Sequence, residues 1–266
     1  MPGGAILITE KTVSLAGGKD VTGMLDRVQL KQEAKAILRG AAVSPWLFAL
    51  LYLLITKGMD YLDTFTSGTM AEYLRVYYPQ LPVPDLLARS ADIPPAVSTF
   101  ISVAVMLLGV VLHAGFALYH LGIRRGRPMP YSTLFSGVAV AGRVIWLAVV
   151  EASLILLWSL LFIVPGIVAA YRYRFALYNL LEDPSLRVWD AIALSKEQTY
   201  GFKTDLFLLD LSFLGWAVLS VFTFGVLSVW LTPYMEQTGV GFYQAVKRVK
   251  GMERVPEQTD PPAEFR

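Results

Sequence analysis

The stretch from Val144 to Val164 is 21 residues of almost unbroken apolar sequence, with Glu151 its one charged residue. At ~1.5 Å per residue a helix of that length crosses the hydrocarbon core of a bilayer. Pro165 and Gly166 come at once after it and predict a helix break. Arg172 and Arg174 come seven and nine residues after the proline. If the break lies at the far surface, the returning helix carries both guanidinium groups roughly 9–12 Å back inside the membrane. Charge is costly at that depth and has to be paired or used there.

The rest of the chain agrees with a membrane environment. It has 55% hydrophobic and 17% charged residues, and its mean hydropathy of +0.52 is high for a domain that must cover its core with polar groups. Apolar residues occur in runs rather than on one face of each element, which points to an all-α polytopic transmembrane helical bundle. A net charge of +2 gives no reason to expect nucleic acid as a partner. The absence of cysteine removes disulfides, thiolate catalysis and Cys-ligated metals, and two histidines make a His-based metal site improbable, so no metal or cofactor is expected. Ala5–Thr9 is too short for a signal-peptide core and has no basic segment before it, so the first apolar helix is expected to be retained.

Taken in order, residues 1–21 are expected to be a flexible tail with a weak hairpin at most, 22–250 one transmembrane helical domain, and 251–266 a second flexible tail. From Thr22 to Arg39, Leu30, Ala34, Ile37 and Leu38 share one side. Arg27, Lys31, Lys35 and Arg39 repeat every four residues on another, the pattern of an interfacial helix in contact with the lipid surface. Two readings stay open for those cations: recognition of anionic head groups, or a positive flank without lipid preference. Ser44 and Pro45 supply an N-cap and a first helical residue for a span at about 41–59. The Pro- and Tyr-rich segment 58–96 cannot span and predicts a short helix on the outer surface.

The next span is expected at about 97–123, with Gly109, Gly115 and Gly122 available for close helix approach. His113 and His120 lie seven apart on one face. They are either a proton relay, which needs titratable partners, or two neutral hydrogen-bonded side chains. An interfacial turn from Tyr131 precedes the span 144–164, and the Pro-Gly break leads into a short helix at 167–181. Asp183 is read as the cap of a second surface helix, Pro184–Tyr200, whose apolar face is Leu186, Trp189, Ile192 and Ala193. Spans at about 205–224 and 226–246 complete six, the last interrupted at Pro233.

Basic residues outnumber acidic ones six to four in segment 1–42 and four to none in 123–143, but are outnumbered three to five in 57–96. The positive-inside rule then places both termini and the loop around Arg124, Arg125 and Arg127 in the cytoplasm of a multi-pass cell-membrane protein.

The order of Trp158 to Pro165-Gly166, Asp183-Pro184 with Ala193 to Lys196, Leu206-Phe207 with Ser212 to Trp216, and Trp230 to Tyr234 with Phe242-Tyr243 resembles an uncharacterised family of bacterial polytopic membrane proteins. Lys31 to Gly40 resembles its opening helix, so the likeness covers most of residues 25–245. More loosely, a Pro-Gly break followed by a Tyr/Arg-rich helix is similar to the membrane domain attached to some glycerophosphodiester phosphodiesterases, although no catalytic domain of that kind is present here. The resemblance implies the class and no activity.

Within the expected spans Glu151, Arg172, Arg174, Asp210 and Glu236 form a nearly balanced charge set. As a site they hold an anionic head group or couple a proton; as scaffolding they neutralise one another. No nucleophile elbow, zinc-protease, P-loop or dinucleotide motif occurs, so an enzyme is not expected. A non-catalytic membrane module interacting with lipids, other membrane proteins or further copies of itself stands first. A small transporter or lipid-handling protein, with helix breaks at Pro165, Gly166 and Pro233, is the alternative.

Overall fold

The computed structural model describes residues 26–82, 84, 87 and 93–252. The expected N-terminal tail, residues 22–25 of the first helix and residues 253–266 of the C-terminal tail lie outside the described residues. All regular structure among the described residues is helical. Three helical segments are long and apolar enough to cross a membrane: Pro95–Arg124, Tyr131–Leu161 and Lys203–Phe222. A fourth is added if Arg27–Gly40 and Pro45–Thr66, bent by 93° at the break between them, count together.

Helix α1 (Arg27–Gly40) is capped by Asp26, which has extended backbone and whose carboxylate accepts from the Val28 N–H at 2.9 Å. It buries Leu30, Ala34 and Leu38, a stripe at four-residue spacing, and packs on the C-terminal helix. Helix α2 (Pro45–Thr66) is entered as its sequence predicts, with Ser44 as N-cap and Pro45 in the first turn. It runs past Met59 to Thr66. Helix α3 (Thr69–Tyr77) is the short helix of the Tyr-rich segment, turned off α2 by Gly68 at a φ of 68°.

Helix α4 (Pro95–Arg124) is the central post, touching α1 and α2 on the N-terminal side and helices as far along the chain as the last one, Ser228–Val249. Phe48 of α2 stacks on Tyr119 of α4 at 3.9 Å between ring centroids, and the Tyr119 hydroxyl donates to the Val43 carbonyl at 2.7 Å. A ten-residue 3-10 segment, Tyr131–Val140, lies along α4 and continues directly into α5 (Ala141–Leu161).

The break after α5 falls at Phe162, whose backbone is extended, three residues before Pro165. Helix α6 (Ile163–Tyr173) then begins, and Pro165 occupies its first turn, where an N–H would have no intrahelical partner. Pro165 therefore helps start a helix rather than end one. Gly166 serves the hairpin differently: a Cβ there would collide with the Ser159 hydroxyl, so its lack of a side chain lets α6 close on α5.

The expected helix 167–181 is two, α6 and α7 (Ala176–Glu182), parted at Arg174–Phe175. Helix α8 (Val188–Thr199) supplies the polar groups that this break needs: Ser195 Oγ donates to the Arg172 carbonyl at 3.0 Å and accepts from the Phe175 N–H at 3.1 Å. That role overturns the expected face of α8. Val188, Ala191, Ile192, Ser195, Gln198 and Thr199 are buried, whereas Trp189 and Ala193 are exposed. The helix also starts at Val188, not Pro184, because the Asp183 carboxylate is spent on a turn, accepting from the Ser185 N–H at 3.0 Å.

Helices α9 (Lys203–Leu211) and α10 (Leu214–Phe222) are parted by a bend at Ser212–Phe213. The chain then turns through Gly225 at a φ of 82° into α11 (Ser228–Val249). Pro233 does not interrupt α11 as expected. It lies in the second turn, buried, where only the bond to the Val229 carbonyl is lost. Beyond α11, the Lys250 ammonium donates to the carbonyls of Glu197 and Tyr200 at the end of α8. Burial, partly offset by Glu197, lowers its pKa from the ordinary value.

Candidate functional site

The α6–α7 break presents Arg174 to α9. Its Nη1 lies 2.5 Å from Asp210 Oδ2 and its Nη2 3.1 Å from Oδ1, a two-pronged ion pair, and the Tyr171 hydroxyl donates to the same carboxylate at 3.0 Å. One turn along α7, the Tyr178 hydroxyl donates to Glu236 of α11 at 3.0 Å. Two charges of the expected set are thus joined directly. Glu236 is held by a tyrosine.

Arg172 and Glu151 take no part in an ion pair among the described residues. Arg172 contributes its carbonyl to the α8 contacts. The Glu151 Oε1 is buried without a hydrogen-bond partner and lines a cleft of about 460 Å³ together with His113 and Arg174, walled by Gly109, Val144 and Leu147. The two histidines have separate surroundings. His113 faces that cleft, whereas His120 is fully buried, its Nδ1 2.9 Å from Gln237 Oε1.

A second charged centre has no counterpart in the sequence reading. Glu182, the last residue of α7, is clamped by Arg125 at 2.5 Å, Lys247 at 2.5 Å and the Tyr243 hydroxyl at 2.9 Å. Beside it Asn179 and Gln198 exchange two amide hydrogen bonds of 2.9 Å. Arg124 pairs in turn with Glu33 of α1 at 3.0 Å and with Gln244 at 2.9 Å. The local signal was a polar Glu-Asp-Pro loop and an Arg-rich helix end, each explicable alone, and nothing in either predicts the other as its partner.

The third feature joins α1 to the last helices. A cleft of about 450 Å³ is lined by Lys31, Lys35 and Arg39 on one side and by Trp216, Leu227, Trp230 and Leu231 on the other, with Trp46 and Tyr234 closing it. Lys31 lies 4.0 Å over the Phe213 ring and donates to the Ser212 carbonyl at 3.3 Å, so the α9–α10 bend is tied to α1. Lys35 lies 5.3 Å over the Tyr234 ring. Of the four cations expected on the lipid surface, three gather here and Arg27 does not.

Among the described residues no group of His, Asp and Glu could hold a metal ion. No curated protein and no solved structure matches the chain. Residues 143–250, from the start of α5 through α11, match the family model described as Protein of unknown function (DUF975). The matched segment contains the Arg174–Asp210 pair, Glu236, Glu182 and the tryptophan wall, but not α1 or α4.

Proposed function

We propose that this chain is a non-catalytic integral membrane module of the cell membrane that interacts with lipids through its surface helices. The observation carrying this reading is the turn of 93° between α1 and α2. If α2 crosses the bilayer, α1 lies along its surface with Leu30, Ala34 and Leu38 inward and the exposed Lys35 and Arg39 within reach of head groups. In this reading six segments cross, α6 with α7 and α11 among them, α1 and α8 lie at the cytoplasmic interface, and both termini are cytoplasmic. The 22 residues of α11 reach about 33 Å, enough for a crossing. The likeness to bacterial membrane proteins continues, on this reading, upstream of residue 143. Apolar faces left exposed, such as Leu160, Phe162 and Ile163 at the α5–α6 turn, suit lipid or a second membrane protein or copy.

Topology is tested by cysteine scanning, since the chain has no cysteine of its own. An impermeant thiol reagent added outside intact cells is expected to label Ser67→Cys and to spare Ser132→Cys until the cells are opened. The reverse pattern overturns the orientation. The cleft holding Glu151, His113 and Arg174 favours a second reading, a small transporter. Proteoliposomes that carry a solute-driven proton flux abolished by Glu151→Gln would replace the module reading with that one.

A further inference from the structure

The α1 cleft gathers three cations, Lys31, Lys35 and Arg39, on one wall of a concave site. None of the three has a carboxylate partner among the described residues, a state they share with others such as Arg172 and Lys250, and what sets them apart is that they converge on one cleft. Lys31 is occupied with the Ser212 carbonyl and the Phe213 ring. That leaves Lys35, its ammonium 5.3 Å over the Tyr234 ring, and Arg39, both exposed and without a carboxylate among the described residues, at the mouth of the site. Opposite them the wall is apolar and half exposed, with Trp216 at 54% and Trp230 at 50%. An anion without an apolar portion would leave that wall uncovered, and an apolar ligand without charge would leave two cations without a partner. One amphiphile with a phosphate at its end satisfies both.

We propose that the cleft between α1, α10 and α11 seats one anionic phospholipid, its phosphate between Lys35 and Arg39 and an acyl chain along Trp216 and Trp230. This rests on the membrane-module reading and adds a defined ligand class to it. Lys31 is a positioning residue: by fixing the α9–α10 bend to α1 it holds the two walls together.

The test uses the full-length protein, delipidated in detergent and titrated with phosphatidylglycerol or phosphatidylcholine of identical chains, bound lipid being counted by native mass spectrometry. One phosphatidylglycerol is expected to bind in preference to phosphatidylcholine. Lys35→Gln with Arg39→Gln is expected to weaken that binding about fivefold per charge, roughly thirtyfold together. The charge-matched pair Lys57→Gln with Arg187→Gln, remote from the cleft, leaves it within about twofold of wild type. In nanodiscs, a variant keeping Trp230 as its one tryptophan is expected to be quenched more by chain-brominated phosphatidylglycerol than by chain-brominated phosphatidylcholine.

Equal binding of the two lipids overturns the proposal. So does equal loss in the control pair, which would mean diffuse surface attraction and leave the module reading intact. Displacement of the lipid by millimolar inorganic phosphate also overturns it, in favour of a free-anion site. Retention of neither lipid, with no quenching of Trp230 or of an equivalent Trp189 reporter on α8, sinks the module reading along with the cleft.

Discussion

Replacing Arg174 by leucine is expected to destabilise the protein by on the order of 3 kcal/mol, because it strands the Asp210 carboxylate in a setting that water reaches poorly. The pair is only partly covered, with side-chain exposures of 34% and 26%, so the cost belongs at the low end of what buried pairs show. Tyr171 still donates to Asp210 in the variant and limits the loss. Removing both charges, Arg174→Leu with Asp210→Leu, is expected to cost less than Arg174→Leu alone, giving a coupling energy of roughly 2 kcal/mol. Arg174→Lys keeps the charge but loses the second prong, and falls between wild type and leucine. Thermal unfolding of the four cycle members in one detergent measures this. Strict additivity would make Arg174 an ordinary interfacial anchor, with Asp210 indifferent to it.

Much of the helical skeleton was legible because its signals are local. Ser44-Pro45 announces α2, the apolar run Val97–Ile123 announces α4, and the four-residue spacing of Leu30, Ala34 and Leu38 announces the buried side of α1. Breaks were less legible. Pro165-Gly166 reads as a stop, but a proline in the first turn starts a helix equally well, and only the extended backbone of Phe162 tells which. The buried face of α8 was misread for a related reason. Apolar periodicity ranks Trp189 above Ser195, yet the free carbonyl of Arg172 and the free N–H of Phe175 require a hydroxyl at that contact, so Ser195 goes inside. Sites built from distant segments were not legible at all. Glu182 is 57 residues from Arg125 and 65 from Lys247, and Lys31 is 181 residues from Ser212. Each cation had an adequate local explanation as part of a positive-inside flank. That rule concerns orientation and says nothing about which carboxylate a cation meets.

The three glycines of α4 are expected to respond to alanine in three different ways, although the sequence offers all three as sites of close helix approach. Gly115 faces the 3-10 segment so closely that a Cβ would meet the Leu134 carbonyl oxygen, with the carbonyl carbon at 2.6 Å and the Thr133 oxygen at 2.9 Å. Those are backbone atoms of a buried element, and they are hemmed from the other side too, since a Cβ on Gly137 would meet the Val111 carbonyl of α4. Neither partner can move without the other, so Gly115→Ala is expected to cost about 3 kcal/mol, the upper end of overpacking, and Gly115→Leu more. Gly122 meets only the side chain of Met129, whose three rotatable bonds let it swing away, so Gly122→Ala costs on the order of 1 kcal/mol. Gly109 has nothing within 4 Å, and alanine there gains about 0.5–1 kcal/mol by restricting the unfolded chain. The sign therefore reverses between two positions six residues apart on one helix. Melting temperatures of the three single variants in a common detergent decide it. A Gly115→Ala protein as stable as wild type would mean that the 3-10 segment does not lie against α4 at this distance. The start of α5, and with it the cleft holding Glu151, would then have to sit elsewhere.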